Sequence, residues 1–507
     1  MGGLSAAVHL ASQGARVVVL ERSDRIGGKI RTVEVGGRAI DAGPTVVTMR
    51  EVFVELFAQA GAALEDYVEL APLEVLARHA WPDGTRFDLF ADSRRTLAHV
   101  REVFGADAAE GYARFETYAQ GLYEEVEVPV MRAARPSLFR AAWAIGRRGP
   151  AAIRRLDWRR NMWGALGSFF PDPRLRQLFG RYATYYGSSP FAAPATLNLI
   201  AHAEKLGVWT ARGGMQALAD GVARLAADLG VEVQTGAHVQ RICVERGRAT
   251  GVELADGTRI RGDAVICNGD PAALFESELG ADARAAGRRM SASDRSLSAM
   301  TWSITGRVEG MDLEFHNVFF SEDYRLEFEE LLDGRRIPSA PTVYLCAQDR
   351  SPFSARDDDG AERLFFLVNA PADGDAAPFD EREIDRCHHN MTRLLERCGV
   401  RLQAEESVAT TPRDFHQRFP STGGALYGAA THTTLAPFSR PTARTKIAGL
   451  YLVGGGAHPG AGVPMVTMGG RIAANEARRD LASTSQWRPV DTSGGTSTSS
   501  RTTVEMR

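Results

Sequence analysis

Residues 1–21 read MGGLSAAVHLASQGARVVVLE, and no other stretch restricts the fold as tightly. Gly2 and Gly3 open a small-residue helix, Gly3 to Gln13, in which Leu4, Ala7, Val8 and Ala11 recur at helical spacing. Gly14 supplies its C-terminal stop. Arg16 to Leu20 reads as a Val-rich strand closed by Glu21. A helix, a strand and then an acid form the second half of a βαβ unit that binds a dinucleotide. Glu21 lies 18 residues after Gly3, close to the ~20 at which such an acid meets a ribose hydroxyl. The strand and first glycines of a complete G-x-G-x-x-G fingerprint are expected upstream, with Met1 an internal methionine or a truncated start.

Two further glycine-bearing pieces follow the same logic. In ERSDRIGGKIRT (21–32), Gly27-Gly28 lets backbone approach a diphosphate without Cβ contact, and Lys29 and Arg31 set positive charge beside it. DAGPTVV (41–47) follows closely. Gly213-Gly214 precede an amphipathic helix with Leu218, Val222, Leu225 and Leu229 on one face. Val231 to Gln234 then reads as a strand, Val239 to Val244 and Ala249 to Leu254 as a hairpin, and Asp263 to Asn268 as a buried strand. The last piece is GLYLVGGGAHPGAGVPMVTMGGRIAANE (449–476), a strand that runs through Gly454-Gly455-Gly456 into a helix from about Val466. Such a junction aims free N–H groups and a helix dipole at an anion or an electron-rich ring.

In this order the pieces resemble the flavin amine oxidase and carotenoid desaturase superfamily. The resemblance implies an α/β fold: a Rossmann-like FAD-binding domain, its first strand absent from these residues, interleaved with an α+β substrate domain. The FAD domain would take 1–75, 205–275 and 420–484. The substrate and membrane-contact domain would take 76–204 and 276–419, leaving 485–507 as a disordered tail. The implied FAD contacts are Gly2, Gly3, Glu21, Arg22, Gly27, Gly28, Lys29, Arg31, Gly43, Pro44, Thr45, Gly455, Gly456, Gly462, Val463 and Met465, with Val239 meeting the adenine through its backbone.

Composition narrows the partners. Of 507 residues 44% are hydrophobic and 24% charged, enough for a large core. The net charge of −3 gives no global basic field, so no nucleic acid is expected. No run approaches the ~18 apolar residues of a membrane span. Five cysteines without a C-x-x-C pair read as free thiols in a reducing compartment. Cys387-His388-His389 are helix neighbours that face different ways, so no metal is expected. Met131 to Arg181 carries twelve arginines against two aspartates, interleaved with Phe139, Trp143, Ile145, Ile153, Trp158, Trp163, Phe169 and Phe170. Basic and aromatic residues mixed on amphipathic helices suit an interfacial membrane contact, here on the cytoplasmic side; the competing reading is a solvated face.

Three segments point to a narrower group. HNVFFSEDY (His316–Tyr324), APTVYLCAQDR (Ala340–Arg350) and GGALYGAATHTTLAPFSRPTARTK (Gly423–Lys446) resemble the 1-hydroxycarotenoid 3,4-desaturases of purple photosynthetic bacteria. The resemblance implies an acyclic carotenoid substrate, hydride loss from position 4 to flavin, and proton loss from position 3. Side chains cannot accept the two electrons, so the cofactor carries that step; oxygen and a quinone both stand as the terminal acceptor. The catalytic candidates are His458, in a His-Pro-Gly run, and Asp172 and Arg176 in PDPRLRQLFGRY. The alternative for Asp172 is a helix N-cap, and for the arginine a surface position. A substrate hydroxyl offers one polar handle, which a hydrogen-bonding pocket can use to reject the unhydroxylated end. The competing functions are a phytoene desaturase acting on several bonds, a flavin amine oxidase, and a protein that holds carotenoid without turnover.

Overall fold

The small-residue helix forms over Gly2–Ala11, and Gly14, at φ 86°, turns the chain toward the strand Val18–Leu20. The structure, a computed structural model, describes residues 1–483 except 138, 140–142, 144, 145, 150, 151, 153, 154, 355–359, 378 and 433–435. The tail 485–507, Ile145 and Ile153 therefore lie outside the described residues. Val18–Leu20 pairs in parallel with Glu232–Gln234, and Val265–Cys267 pairs in parallel with Leu450–Leu452. Strands from distant parts of the chain thus share one α/β layer. The first helix lies against both Val18–Leu20 and Val265–Cys267, and runs along the C-terminal helix Val463–Ser483. Gly470 makes that helix contact possible: a Cβ there would sit 2.5 Å from the Gly2 carbonyl oxygen. Leu4, Val8, Phe53, Phe57, Leu218 and Val222 fill the space beneath.

A seven-stranded sheet stands beside this layer. Its order is Arg401–Thr410, Ser298–Glu309, Glu362–Ala370, Val343–Ala347, His316–Phe319, Val75–Ala80 and Arg86–Phe90. All neighbours are antiparallel except His316–Phe319 with Val75–Ala80, where Asn317 stands opposite Arg78. Period-2 alternation allows each face its own core. One face takes the helix Glu381–Arg397 through Cys387, Met391, Leu394 and Leu395. Cys387 is buried there, His388 half-buried and His389 exposed, and among the described residues no metal-ligand cluster forms. The other face meets an aromatic core that includes Trp81, Phe87, Phe115, Phe179 and Phe320. Phe170 is wholly buried in that core and Trp163 and Phe169 pack against it, so these three rings of the Arg-rich stretch belong to the interior. Phe139, Trp143 and Trp158 stay exposed.

One buried side chain ties the pieces together. Asp41 accepts a 2.6 Å hydrogen bond from the Met215 N–H, at the start of the helix Gly214–Asp228. Its own N–H donates to Gln348 Oε1 at 3.0 Å, and its carbonyl accepts from Gln348 Nε2 at 2.8 Å. Burial raises the Asp41 carboxyl, and the helix N–H groups of Met215 and Gln216 oppose that rise. Gly214, at φ 80°, must be bare, since a Cβ would lie 2.2 Å from Asp41 Oδ2. Asp41→Ala removes a charge-assisted cap and is expected to cost about 3 kcal/mol, read as a lower thermal midpoint.

At Glu327 burial again outweighs the hydrogen bonds that oppose it. It is buried, its Oε2 accepts from the Thr342 N–H and Oγ1, and its Oε1 has no partner among the described residues. Burial pushes its carboxyl from 4.5 up to about 7. Between those pH values the folded chain holds a proton that the unfolded chain has released, so stability falls as pH rises through that window. The loss is about 3 kcal/mol, complete above pH 7. Glu327→Gln is expected to flatten the pH dependence of unfolding between pH 4.5 and 7, measured by denaturant melts.

Candidate cofactor and substrate site

Three strand ends and three helix starts converge on one region, and bare backbone lines it. Gly27 and Gly28 have φ of 128° and 67°. A Cβ on Gly27 would lie 2.4 Å from the Ile30 carbonyl oxygen, whereas one on Gly28 would meet nothing within 4 Å. A Cβ on Gly43 would lie 2.0 Å from the Lys29 carbonyl oxygen, so the 27–30 turn and the 41–45 segment are packed back to back. The Ala42 N–H donates to the Arg31 carbonyl at 2.9 Å and seals that contact. Gly2 abuts Asn268 and Val453, and the Gly3 N–H donates to Asn268 Oδ1 at 3.1 Å. Gly456 closes on Asp270, and Gly462, at φ 115°, precedes the helix Val463–Ser483, which starts three residues before the expected Val466. Val463 and Met465 are buried in its first turn.

The rim residues are placed as follows. Glu21 Oε1 accepts from the Ser23 N–H at 2.9 Å, just past the strand end. Arg22 donates to the Arg418 carbonyl at 2.5 Å. Val239 opens the strand Val239–Glu245, opposite Leu254. Lys29 Nζ donates to the Leu426 carbonyl and lies 5.2 Å from the centroid of the Phe419 ring; burial pulls its pKa down to about 8, with Asp270 opposing. Arg31 stacks over Phe415 and reaches Thr410; burial and Arg418 lower it to about 10. Pro44 leads to Thr45, whose buried Oγ1 is 2.6 Å from the Tyr344 hydroxyl.

Sequence reasoning missed Arg440. Its guanidinium is buried and donates to the carbonyls of Tyr427, Ala429 and Gly455 at 3.2, 2.9 and 2.7 Å. It thereby holds the Gly455 loop, and burial lowers its pKa. The sequence signal is faint: one arginine before a proline in PFSRPT. An uncovered glycine cradle, converging helix starts and two interior cations whose hydrogen bonds go to neutral carbonyls form a donor set that fits an anionic dinucleotide with a planar ring.

The three catalytic candidates are not brought together. His458 is buried beside the cradle, and its Nε2 meets the Ala133 carbonyl at 2.8 Å. Burial holds its pKa near 4. Asp172 is the N-cap of the helix Pro173–Gly180: it accepts from the Arg174 N–H and pairs with the Arg174 guanidinium at 2.7 Å. Arg176 donates to the Phe170 and Pro171 carbonyls at 2.6 and 3.1 Å. Both side chains are committed to shaping the turn at the start of that helix, as the alternative reading has it for Asp172.

Beyond Thr45 lies a buried polar group. His316 Nδ1 is 2.7 Å from the Tyr344 hydroxyl. Arg181 pairs with Glu204 at 3.5 Å and donates to the Tyr185 hydroxyl, and the Tyr182 hydroxyl donates to Glu204. Tyr182 also lines a cavity of about 200 Å³ walled by Phe115 and Phe179.

Comparison with known proteins gives these features a context. Residues 1–478 match a family model described as flavin containing amine oxidoreductase. The hydroxyneurosporene desaturase of Rubrivivax gelatinosus is 45% identical, over 100% of this chain and 97% of its own. That of Cereibacter sphaeroides is 43% identical over 96% of this chain and 97% of its own. The 1-hydroxycarotenoid 3,4-desaturase of a Flavobacterium species is 31% identical over 94% and 96%. A putrescine oxidase bound to putrescine superposes with a TM-score of 0.58 at 16% identity, covering 95% of this chain and 97% of that one, which speaks for the fold alone. Because burial keeps His458 neutral, the pH–rate profile is expected to show no inflection from it between about pH 5 and 9. An inflection in that range that His458→Gln abolishes would contradict this placement.

Proposed function

The chain belongs to the flavin-containing amine oxidoreductase family, and from that premise we propose that it desaturates the 3,4 bond of a 1-hydroxylated acyclic carotenoid. FAD is its cofactor. The observation that carries the reading is the 45% identity, over the whole chain, to a hydroxyneurosporene desaturase. A resemblance through the fold alone would equally allow an amine oxidase, and fold does not choose chemistry.

Bound FAD supplies the two-electron acceptor that C–H removal from a saturated carbon pair requires. The chain's own part is to hold and to exclude. Gly27, Gly28 and the Gly454–Gly456 run leave room for the diphosphate and ring, and Lys29 and Arg440 bring positive charge toward them. Glu21 would take the ribose, and Val239 the adenine through its backbone. Pro44 and Thr45 would face the ring. His458, neutral and tied to Ala133, positions the glycine loop. Hydride loss from C4 builds positive charge that the adjacent polyene delocalises, and proton loss from C3 completes the bond.

The substrate dissolves in lipid, so the enzyme must meet a membrane. Among the described residues no helix is long and apolar enough to cross one. We read Phe139, Trp143 and Trp158, 79, 59 and 50% exposed, as the docking face. Arg147 and Arg159 lie over the two tryptophans at 4.7 and 4.8 Å, ready for anionic headgroups. An open groove of about 660 Å³ beside Trp143 has Pro129, Ala133 and Ala134 and the charged Arg135, Arg444, Glu476 and Arg479 in its wall, and the Ala133 carbonyl is the one that His458 contacts.

Three measurements check this reading. Purified protein with FAD, given 1-hydroxyneurosporene in vesicles, is expected to yield a polyene red-shifted by one conjugated bond. With a 4-deuterated substrate it is expected to show a primary isotope effect. Turnover of phytoene through several bonds, with no action on the hydroxylated substrate, would replace this function with the phytoene desaturase. Replacing Phe139, Trp143 and Trp158 together by Ser is expected to cut co-sedimentation with anionic vesicles ~10-fold or more, since each lost aromatic anchor removes roughly 1 kcal/mol or more. Undiminished sedimentation would assign these rings to a solvated face.

A further inference from the structure

Two of the three segments that mark the narrower resemblance meet in the interior. His316 comes from HNVFFSEDY and Tyr344 from APTVYLCAQDR, on neighbouring strands of the seven-stranded sheet. His316 Nδ1, the Tyr344 hydroxyl and Thr45 Oγ1 form a chain of hydrogen bonds at 2.7 and 2.6 Å. Its far end is His316 Nε2, which is buried and has no partner among the described residues. His316 itself is 2% exposed. Burial, with the Arg181 guanidinium charge as the second cause, holds the His316 ring neutral. A buried polar atom left open is costly, so the open Nε2 at the end of this chain marks a place built to receive a polar group.

The chemistry of that group follows from the donors. A neutral imidazole bonded through Nδ1 leaves Nε2 one unmet bond, as donor or as acceptor according to the tautomer. An alcohol both donates and accepts, so it satisfies either histidine tautomer. An anion would be repelled by an accepting Nε2, and a hydrocarbon would leave it unmet. Thr45 ties the chain to the 41–45 segment, at the cradle where the bond to be oxidised must lie. The 1-hydroxyl of an acyclic carotenoid sits on a carbon two bonds from C3, which puts hydroxyl and reacting carbons within one small region.

Resting on the desaturase reading above, we propose that His316 Nε2 binds the 1-hydroxyl of the substrate, with Tyr344 and Thr45 as positioning residues. They register the 3,4 bond and exclude the unhydroxylated end. Exclusion arises because an unhydroxylated end strands the buried Nε2, a strong basis for discrimination.

The test compares 1-hydroxyneurosporene with neurosporene on the FAD-loaded protein in vesicles. His316→Phe is expected to lower the ratio of their kcat/KM values ~10- to 100-fold, mainly through KM of the hydroxylated substrate. His316→Gln, which keeps a polar tip, is expected to restore part of the ratio. Tyr344→Phe breaks the chain to Thr45 and is expected to lower the ratio less, and it decides the matter if His316→Phe does not fold. Binding, followed by quenching of tryptophan fluorescence, is expected to weaken for the hydroxylated polyene and not for neurosporene. A wild-type ratio near one would overturn the desaturase reading itself. A high wild-type ratio that survives both His316→Phe and Tyr344→Phe would overturn this assignment alone.

Discussion

The architecture depends on one buried carboxylate. Asp41 caps the helix Gly214–Asp228 and holds Gln348 by a paired hydrogen bond, so three segments separated by more than a hundred residues are fixed at one point. A carboxylate at a helix start is favoured by the helix dipole, which offsets part of its desolvation. Gln348 extends from the end of the strand Val343–Ala347, so the same contact anchors the seven-stranded sheet to the α/β layer. The 41–45 segment therefore arrives with its glycine against Lys29 and its threonine against Tyr344. One side of this short segment touches the glycine cradle and the other the buried polar groups around Tyr344 and His316.

That arrangement explains why one framework serves a lipid-soluble polyene. The α/β layer supplies glycine backbone and interior cations for an anionic cofactor. The sheet and the aromatic core around Phe115, Phe170 and Phe179 supply an apolar interior. Its buried polar groups include two joined sets: Arg181, Glu204, Tyr182 and Tyr185, and His316 with Tyr344. A pocket that is mostly apolar with a small number of placed polar atoms orients a ligand that has a single polar end.

Local pattern carries much of this in the sequence. The helix after Gly2, the strand ending before Glu21, the helix after Gly213 and the junction after Leu452 are all legible from periodicity and glycine, because each is defined by its near neighbours. Pro464 reads as a loop residue, which puts the expected start of the last helix at Val466; in the structure this proline occupies the first turn, where a missing N–H costs nothing. Asp172 has a local signature for both its readings, and the cap is the one its neighbours complete. What spacing does not reveal are partners brought together only by tertiary folding: Asp41 with Met215, Arg440 with Gly455, and His316 with Tyr344. All three pairs lie in or beside segments that the sequence singles out, yet nothing local says which side chains face inward.

The most direct measurement of the central claim is a single turnover without oxygen. Protein carrying bound FAD is mixed with excess 1-hydroxyneurosporene, and the polyenes are extracted and weighed by mass spectrometry. The account predicts one equivalent of product per bound flavin, lighter by two hydrogens, with the new double bond at the 3,4 position. Unchanged hydroxylated substrate, together with a lighter product from neurosporene or phytoene under the same conditions, would contradict it.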